Sequence, residues 1–285
     1  MNNIVFCIDN NFIGLTKFVF STFCKYHDVK KYKIYLILYD ETKTCHIIIN
    51  KKIMLINSDI NVEYIYFDLP LEFNKLHDKI SEKYREQSLA VFGNKSNWTR
   101  FFISEILKDL DDVLYLDYDI LFRGNIDKLF ELEFENNMLM AVPYKLNSPP
   151  KRRKWKINKL FRSEIDNELS KLAIEKLNLD LEKIKNNNCY NCGVMYLNLK
   201  LIREFNITNK IENYFKFYLE HGRFHRHSGT QNINNFYIPQ YKHLEGKYND
   251  TRIAISNSII LHFKGISHLR KDTRFLNFFK NIMNS

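Results

Sequence analysis

A chain of 285 residues with 45% hydrophobic content can bury a large core, and at this size one α/β domain with an appendage is as plausible as two. The formal charge of +10 would reward nucleic acid, an anionic membrane surface or a phosphate-bearing substrate alike, so charge alone does not choose a partner. No stretch approaches the roughly 18 consecutive apolar residues of a membrane span, and no basic start precedes an apolar signal core, which points to a cytoplasmic protein. The five cysteines (Cys7, Cys24, Cys45, Cys189, Cys192) are odd in number and scattered, as suits reduced thiols.

The chain opens with IVFCI at 4–8, a polar corner at Asp9, Asn10 and Asn11, and a helix-compatible stretch to about His27. The unit recurs with YKIYLILY at 32–39 followed by a helical stretch, then VEYIYF at 62–67. A helix over 97–110 is expected to turn Phe101, Phe102, Ile106 and Leu107 inward, ahead of VLYLD at 113–117 and buried strands at 138–144 and 193–199. Continuous apolar strands alternating with helices predict a Rossmann-like, mainly parallel central sheet flanked by helices. Between the last two strands lies a polar insertion, 147–188, that opens at Pro149 and Pro150. It carries Lys151, Arg152, Arg153, Lys154, Lys156, Lys159 and Arg162, then helical periodicity through Leu169, Leu172, Ile174 and Leu177. Residues 1–285 read as one domain bearing this helical excursion and a short tail at 266–285.

In such sheets ligands gather beyond the carboxyl ends of the strands, which singles out Asp9, Asn10, Asn11, Asp68, Asp117 and Asp119. A bare Asp-x-Asp is weak evidence, and Asp109 with Asp111, in a charged helix end, needs no role beyond solvation. Asp117 and Asp119 differ, because VLYL precedes them and ILF follows, and an unpaired carboxylate among such residues is costly to desolvate. A cation belongs there, and hard oxygen ligands suit Mg²⁺ or Mn²⁺ carrying substrate phosphates. Cys189 and Cys192 form a Cys-x-x-Cys with no second pair to complete a zinc site. The basic run has one interleaved aromatic, Trp155, and no recognition motif, which argues against nucleic acid.

Through VLYLDYDILFRGNIDKLFE at 113–131 the chain resembles glycosyltransferase family 8, particularly the bacterial lipooligosaccharide galactosyltransferases. IVFCIDNNF at the start, WTRFFISEIL at 98–107, YNCGVMYLNLK at 190–200 and HFKGISH at 262–268 extend the resemblance through nearly the whole chain. It implies a GT-A fold, a UDP-sugar donor, Mn²⁺ or Mg²⁺, and transfer with retention to a glycan or glycolipid acceptor in surface-polysaccharide synthesis. On that likeness Asp117 and Asp119 match metal ligands and His262 the third, with Tyr118 between them in the cofactor-binding segment. Asp9, Asn10, Asn11 and Arg100 match the nucleotide side, Asn191 and Gly193 the donor-sugar segment, and Gly265 the diphosphate. His268 stands where the family pattern has a phosphate-contacting lysine, with Lys264, Arg270 and Lys271 nearby.

One departure matters: where the family has Asp-Gln-Asp, this chain has Thr230, Gln231 and Asn232. Gln231, Asn191 and Asp117 are then the expected catalytic residues, in a front-face route that needs no carboxylate nucleophile. The lost acids also leave open a catalytically weakened UDP-sugar or glycan-binding module of the same fold. The basic insertion suits an anionic lipid-linked or phosphorylated glycan and leaves open peripheral contact with the inner membrane face.

Overall fold

The computed structural model describes residues 1–39, 43–83, 95–143, 168–186, 188–222, 230–251 and 257–263. Among them nine strands are β1 Asn2–Asp9, β2 Tyr32–Tyr39, β3 Asn61–Tyr66, β4 Asp112–Leu116, β5 Ile120–Phe122, β6 Leu139–Pro143, β7 Tyr190–Asn198, β8 Lys242–His243 and β9 Ile260–His262. Seven of them form one sheet in the order β3-β2-β1-β4-β7-β6-β8. β3, β2, β1 and β4 run parallel, β7 alone is reversed, and β6 and β8 resume the first direction. The strands carry apolar side chains on both faces because both faces are covered. Val5, Ile37 and Tyr115 lie in one core with Trp98 and Phe215, whereas Ile4, Phe6, Leu36 and Leu114 lie in the other with Phe20 and Phe23.

Helix α1 (Thr16–Tyr26) follows β1, and α2 (Cys45–Ile56) and α3 (Leu71–Lys83) follow β2 and β3, completing the expected alternation. A second, two-stranded sheet pairs β5 antiparallel with β9, placing Ile120 opposite His262. Apolar character alone does not reveal that β5 leaves the main sheet, since its three residues are buried like those of any central strand. Among the described residues no helix is long and apolar enough to cross a membrane.

The helix expected over 97–110 is instead three short pieces, Lys95–Trp98, a 3₁₀ turn Thr99–Phe102, and Ile103–Ile106. Phe101, Phe102 and Leu107 are buried as expected, and Ile106 is half-buried. Three residues per turn eclipse side chains at i and i+3. Trp98 and Phe101 therefore share one partner, Phe215, at centroid separations of 3.8 and 6.1 Å. In the insertion, the helix Glu168–Lys176 turns Ser170 and Ala173 inward, while Leu169, Leu172 and Ile174 are half-buried. It is followed by Asn178 at φ 48°, a left-handed conformation that Asn tolerates. The basic run at 151–162 and the tail at 266–285 lie outside the described residues.

Trp98 is wholly buried, stacks on Phe215 at an interplanar angle of 12°, and immediately precedes the turn that carries Arg100. Trp98→Ala is expected to cost about 3–5 kcal/mol of stability, read from the urea midpoint at unchanged slope.

Candidate metal centre

β1 and β4 point their carboxyl ends the same way, and the sequence motifs converge there. Asp9 closes β1, is 7% exposed, and accepts a 2.7 Å hydrogen bond from Ser96 Oγ. Asn10 follows at the exposed start of a 3₁₀ helix, and the side chain of Asn11 lies outside the described residues. β4 ends at Leu116, after which the amide of Asp117 donates to the Gly193 carbonyl (2.8 Å). Two residues later the Asp119 carbonyl accepts from the Phe263 amide (2.9 Å), beside β9. The Asp-x-Asp segment thus bridges the large and the small sheet.

The side chains of Asp117, Asp119 and His262 offer ligand atoms that all lie within 4.8 Å of one another. His262 Nε2 stands 3.3 Å from Asp117 Oδ2 and 3.3 Å from Asp119 Oδ1. On its other side Asp117 Oδ1 accepts from Arg100 Nη2 at 3.2 Å and from the Tyr115 hydroxyl. Burial would raise the Asp117 carboxyl, but the Arg100 charge and the His262 contact more than offset it and hold it well below the usual carboxylate range. Burial likewise opposes a charged His262, yet its bonds to Asp117 and Asp119 raise it from 6.5 to about 9. The imidazolium therefore occupies the place of a cation between the two carboxylates.

The donor set fits a hard divalent ion: two carboxylate oxygens and one imidazole nitrogen are ordinary ligands for Mn²⁺ or Mg²⁺. Ligand atoms about 2.1 Å from one octahedral ion stand about 3 Å apart, close to the separations found. A metal would displace the Nε2 proton, because an imidazole must be neutral to coordinate.

His262 is held from several sides. Its amide donates to the Asp250 carbonyl at 3.1 Å, and its ring lies against Gly193. A methyl group added to Gly193 would sit 2.1 Å from His262 Cε1, so the glycine makes room for the imidazole ring. Asn191 is 5% exposed and its Oδ1 accepts from the Gly193 amide at 2.9 Å.

Arg100, expected against the nucleotide, is turned onto Asp117, over the Tyr115 ring at 5.2 Å. Tyr118 is turned away from the cluster: it is 2% exposed, its ring abuts Phe6, and its hydroxyl lies 3.1 Å from Thr16 Oγ1. Its side chain therefore points away from those of Asp117 and Asp119, which leaves the backbone of residue 118 as the part that lies beside the cluster. Gln231 lies on the helix Thr230–Tyr237, but its side chain and those of Thr230 and Asn232 are outside the described residues, as are Lys264, Gly265 and His268. That helix docks on the entry to β7, since Asn235 Oδ1 accepts from the Tyr190 amide (2.9 Å) and Nδ2 donates to its carbonyl (3.2 Å). Cys7 and Cys192 flank Arg100 and Asp117, and burial pushes both thiols up to about 12, so neither is a ready thiolate. Tyr115, Ser96 and Asn235 were missed by sequence reasoning, since each sits inside an apolar or unremarked run with no local signal.

The model of the family described as glycosyl transferase family 8 matches residues 3–265. Among curated proteins, the glycosyltransferase GlyB of Streptococcus pneumoniae serotype 4 is 29% identical over 146 residues, 49% of this chain and 31% of its own. The chain therefore spans about a third of that relative's length. A galactosyltransferase LgtC structure with donor and acceptor sugar analogues aligns with a TM-score of 0.64 at 14% identity, over 99% of this chain and 95% of that one. Streptococcus pneumoniae GlyE aligns with a TM-score of 0.60 at 17% identity, over 99% of this chain and 60% of that one. The shared architecture is the GT-A fold, a mostly parallel central sheet flanked by helices.

Gly193→Ala is expected to push the His262 ring out of line and weaken Mn²⁺ binding at least tenfold by calorimetry, with a stability loss of about 1–3 kcal/mol. His262 binds its proton more tightly folded than unfolded. That contribution is present in full below pH 6.5 and is lost as pH rises through about 9. Urea midpoints of the metal-free protein should fall across this window, and the fall should shrink in His262→Gln.

Proposed function

Because the chain belongs to glycosyl transferase family 8, we propose that it moves a hexose, galactose or glucose, from a UDP-sugar to a glycan or glycolipid acceptor with retention of anomeric configuration. The observation that carries the metal dependence is the convergence of Asp117, Asp119 and His262 on one point. These three residues would hold a divalent ion, Mn²⁺ or Mg²⁺, whose chemistry when bound would be to offset the charge that develops on the diphosphate leaving group.

The chain's own residues do the rest. Arg100 keeps Asp117 ionised by its charge. Asp9, Asn10 and Asn11, at the end of β1, take the uridine, while Gly265 and His268 are assigned to the diphosphate on the family pattern. Asn191 and Gln231 orient the sugar, whose reacting carbon develops oxocarbenium character. The acceptor hydroxyl attacks the face the diphosphate leaves, and its proton passes to the departing phosphate oxygen. This route asks for no carboxylate nucleophile, in keeping with Thr230 and Asn232 where acids would otherwise stand. The acceptor role is assigned to segment 147–188 from its sequence alone, because its positive charge suits an anionic lipid-linked glycan of surface-polysaccharide synthesis at the inner membrane face.

UDP release from UDP-Gal, UDP-Glc and UDP-GlcNAc, with and without Mn²⁺, tests the reading. One donor should turn over only with metal, and Asp119→Ala should lose roughly a hundredfold or more, the scale of one electrostatic stabiliser. Tight binding without turnover would favour the weakened module left open by Thr230 and Asn232, and absence of binding to every donor would sink both.

A further inference from the structure

We infer that Asn249 is a positioning residue that aims the His262 imidazole at the metal site, through a relay of hydrogen-bond polarity starting at the Gly193 backbone. The inference rests on the metal reading above but is carried by different atoms. The Gly193 amide can only donate, and it does so at 2.9 Å to the Asn191 side chain, which fixes that atom as Oδ1. The same oxygen receives a second bond at 2.9 Å from Asn249, so the atom facing it is Nδ2. Asn249 Oδ1 is thereby left opposite His262 Nδ1, at 3.0 Å. An amide oxygen only accepts, so Nδ1 must carry the proton of this contact. In the neutral imidazole the lone pair then sits on Nε2, the nitrogen 3.3 Å from both Asp117 and Asp119.

Asn249 is fully buried and Asn191 and His262 are each 5% exposed, so bulk water does not take over a lost bond. The backbones at both ends of the contact are also fixed. Asn249 closes the 3₁₀ turn Gly246–Tyr248, with its amide 3.2 Å from the Gly246 carbonyl. Its neighbour Asp250 donates to the Ile260 carbonyl at 3.0 Å and accepts from the His262 amide at 3.1 Å. The ring cannot swing toward Gly193, where even a Cβ would be only 2.1 Å away, nor turn over without setting a ring carbon against Asn249 Oδ1. Such outer partners of a metal-bound histidine set its tautomer and orientation, and their removal commonly weakens metal binding 10–100-fold.

The test pairs two substitutions of similar volume in the full chain. Asn249→Leu removes the acceptor, and Asn249→Asp keeps an acceptor oxygen opposite Nδ1. Calorimetric Mn²⁺ binding in the presence of UDP should weaken roughly 10–100-fold in Asn249→Leu and clearly less in Asn249→Asp, which keeps the acceptor facing Nδ1 while losing the Nδ2 donor to Asn191 Oδ1. A buried, slowly exchanging Nδ1–H resonance, assigned by its loss in His262→Gln, should appear in the wild type with or without Mg²⁺ and disappear in Asn249→Leu. Equal effects of the two substitutions, or a wild type lacking that resonance, would overturn the relay. If the wild type fails to bind Mn²⁺ while the resonance is present and depends on Asn249, the metal reading falls and the relay stands. Should Asn249→Leu not fold, the wild-type resonance and Asn249→Asp still decide.

Discussion

Two carboxylates set within a few ångströms of each other in a buried pocket are the constraint on which the rest depends. Asp119 is buried and Asp117 half-buried, so solvent meets their charge only in part and the fold brings positive charge from elsewhere in the chain. It does so twice. Arg100 arrives from the 3₁₀ turn ahead of β4, and His262 arrives from β9, near the far end of the described chain. Each delivery explains an element with no other evident purpose: the tightened turn that keeps Trp98 on Phe215, and the small β5-β9 sheet that sets His262 opposite Ile120.

The reversal of β7 serves the same end. In an all-parallel sheet only the carboxyl ends of strands reach the ligand side, and every strand departs from it into a helix. Because β7 runs antiparallel between β4 and β6, its amino end lies beside the carboxyl end of β4, with Leu116 opposite Val194. Asn191 and Gly193 are thus brought to Asp117 and His262 from within the sheet itself. A rigid strand, not a loop, carries the residue that must lack a side chain.

Much of this was legible in the sequence. Continuous apolar runs marked the strands and the alternation of the first half, and the isolation of Asp117 and Asp119 among apolar residues is by itself enough to require a cation. His262 was reached only by family resemblance, since one histidine after an apolar run says nothing by itself. The direction of β7 was not legible, because a strand buried on both faces reads alike in either direction. The purpose of Gly193 depends on the ring of His262, which lies far along the chain and two strands away in order. The side-chain direction of Tyr118 was legible, since the period-two argument that aligns residues 117 and 119 sends 118 into the opposite core, where it meets Phe6.

The same charges bear on the order of events in the proposed reaction. Arg100 and His262 both face Asp117, and His262 also faces Asp119, so cationic side chains already stand against this acidic pair. A divalent cation held by Asp117, Asp119 and His262 would take the place of the proton on His262 Nε2 and would leave the centre one unit more positive. That surplus is exposed toward whatever anion approaches. A diphosphate is such an anion, and it also offers oxygens to complete the coordination that three protein ligands leave open. Metal and donor should then bind with positive coupling, each improving the site for the other.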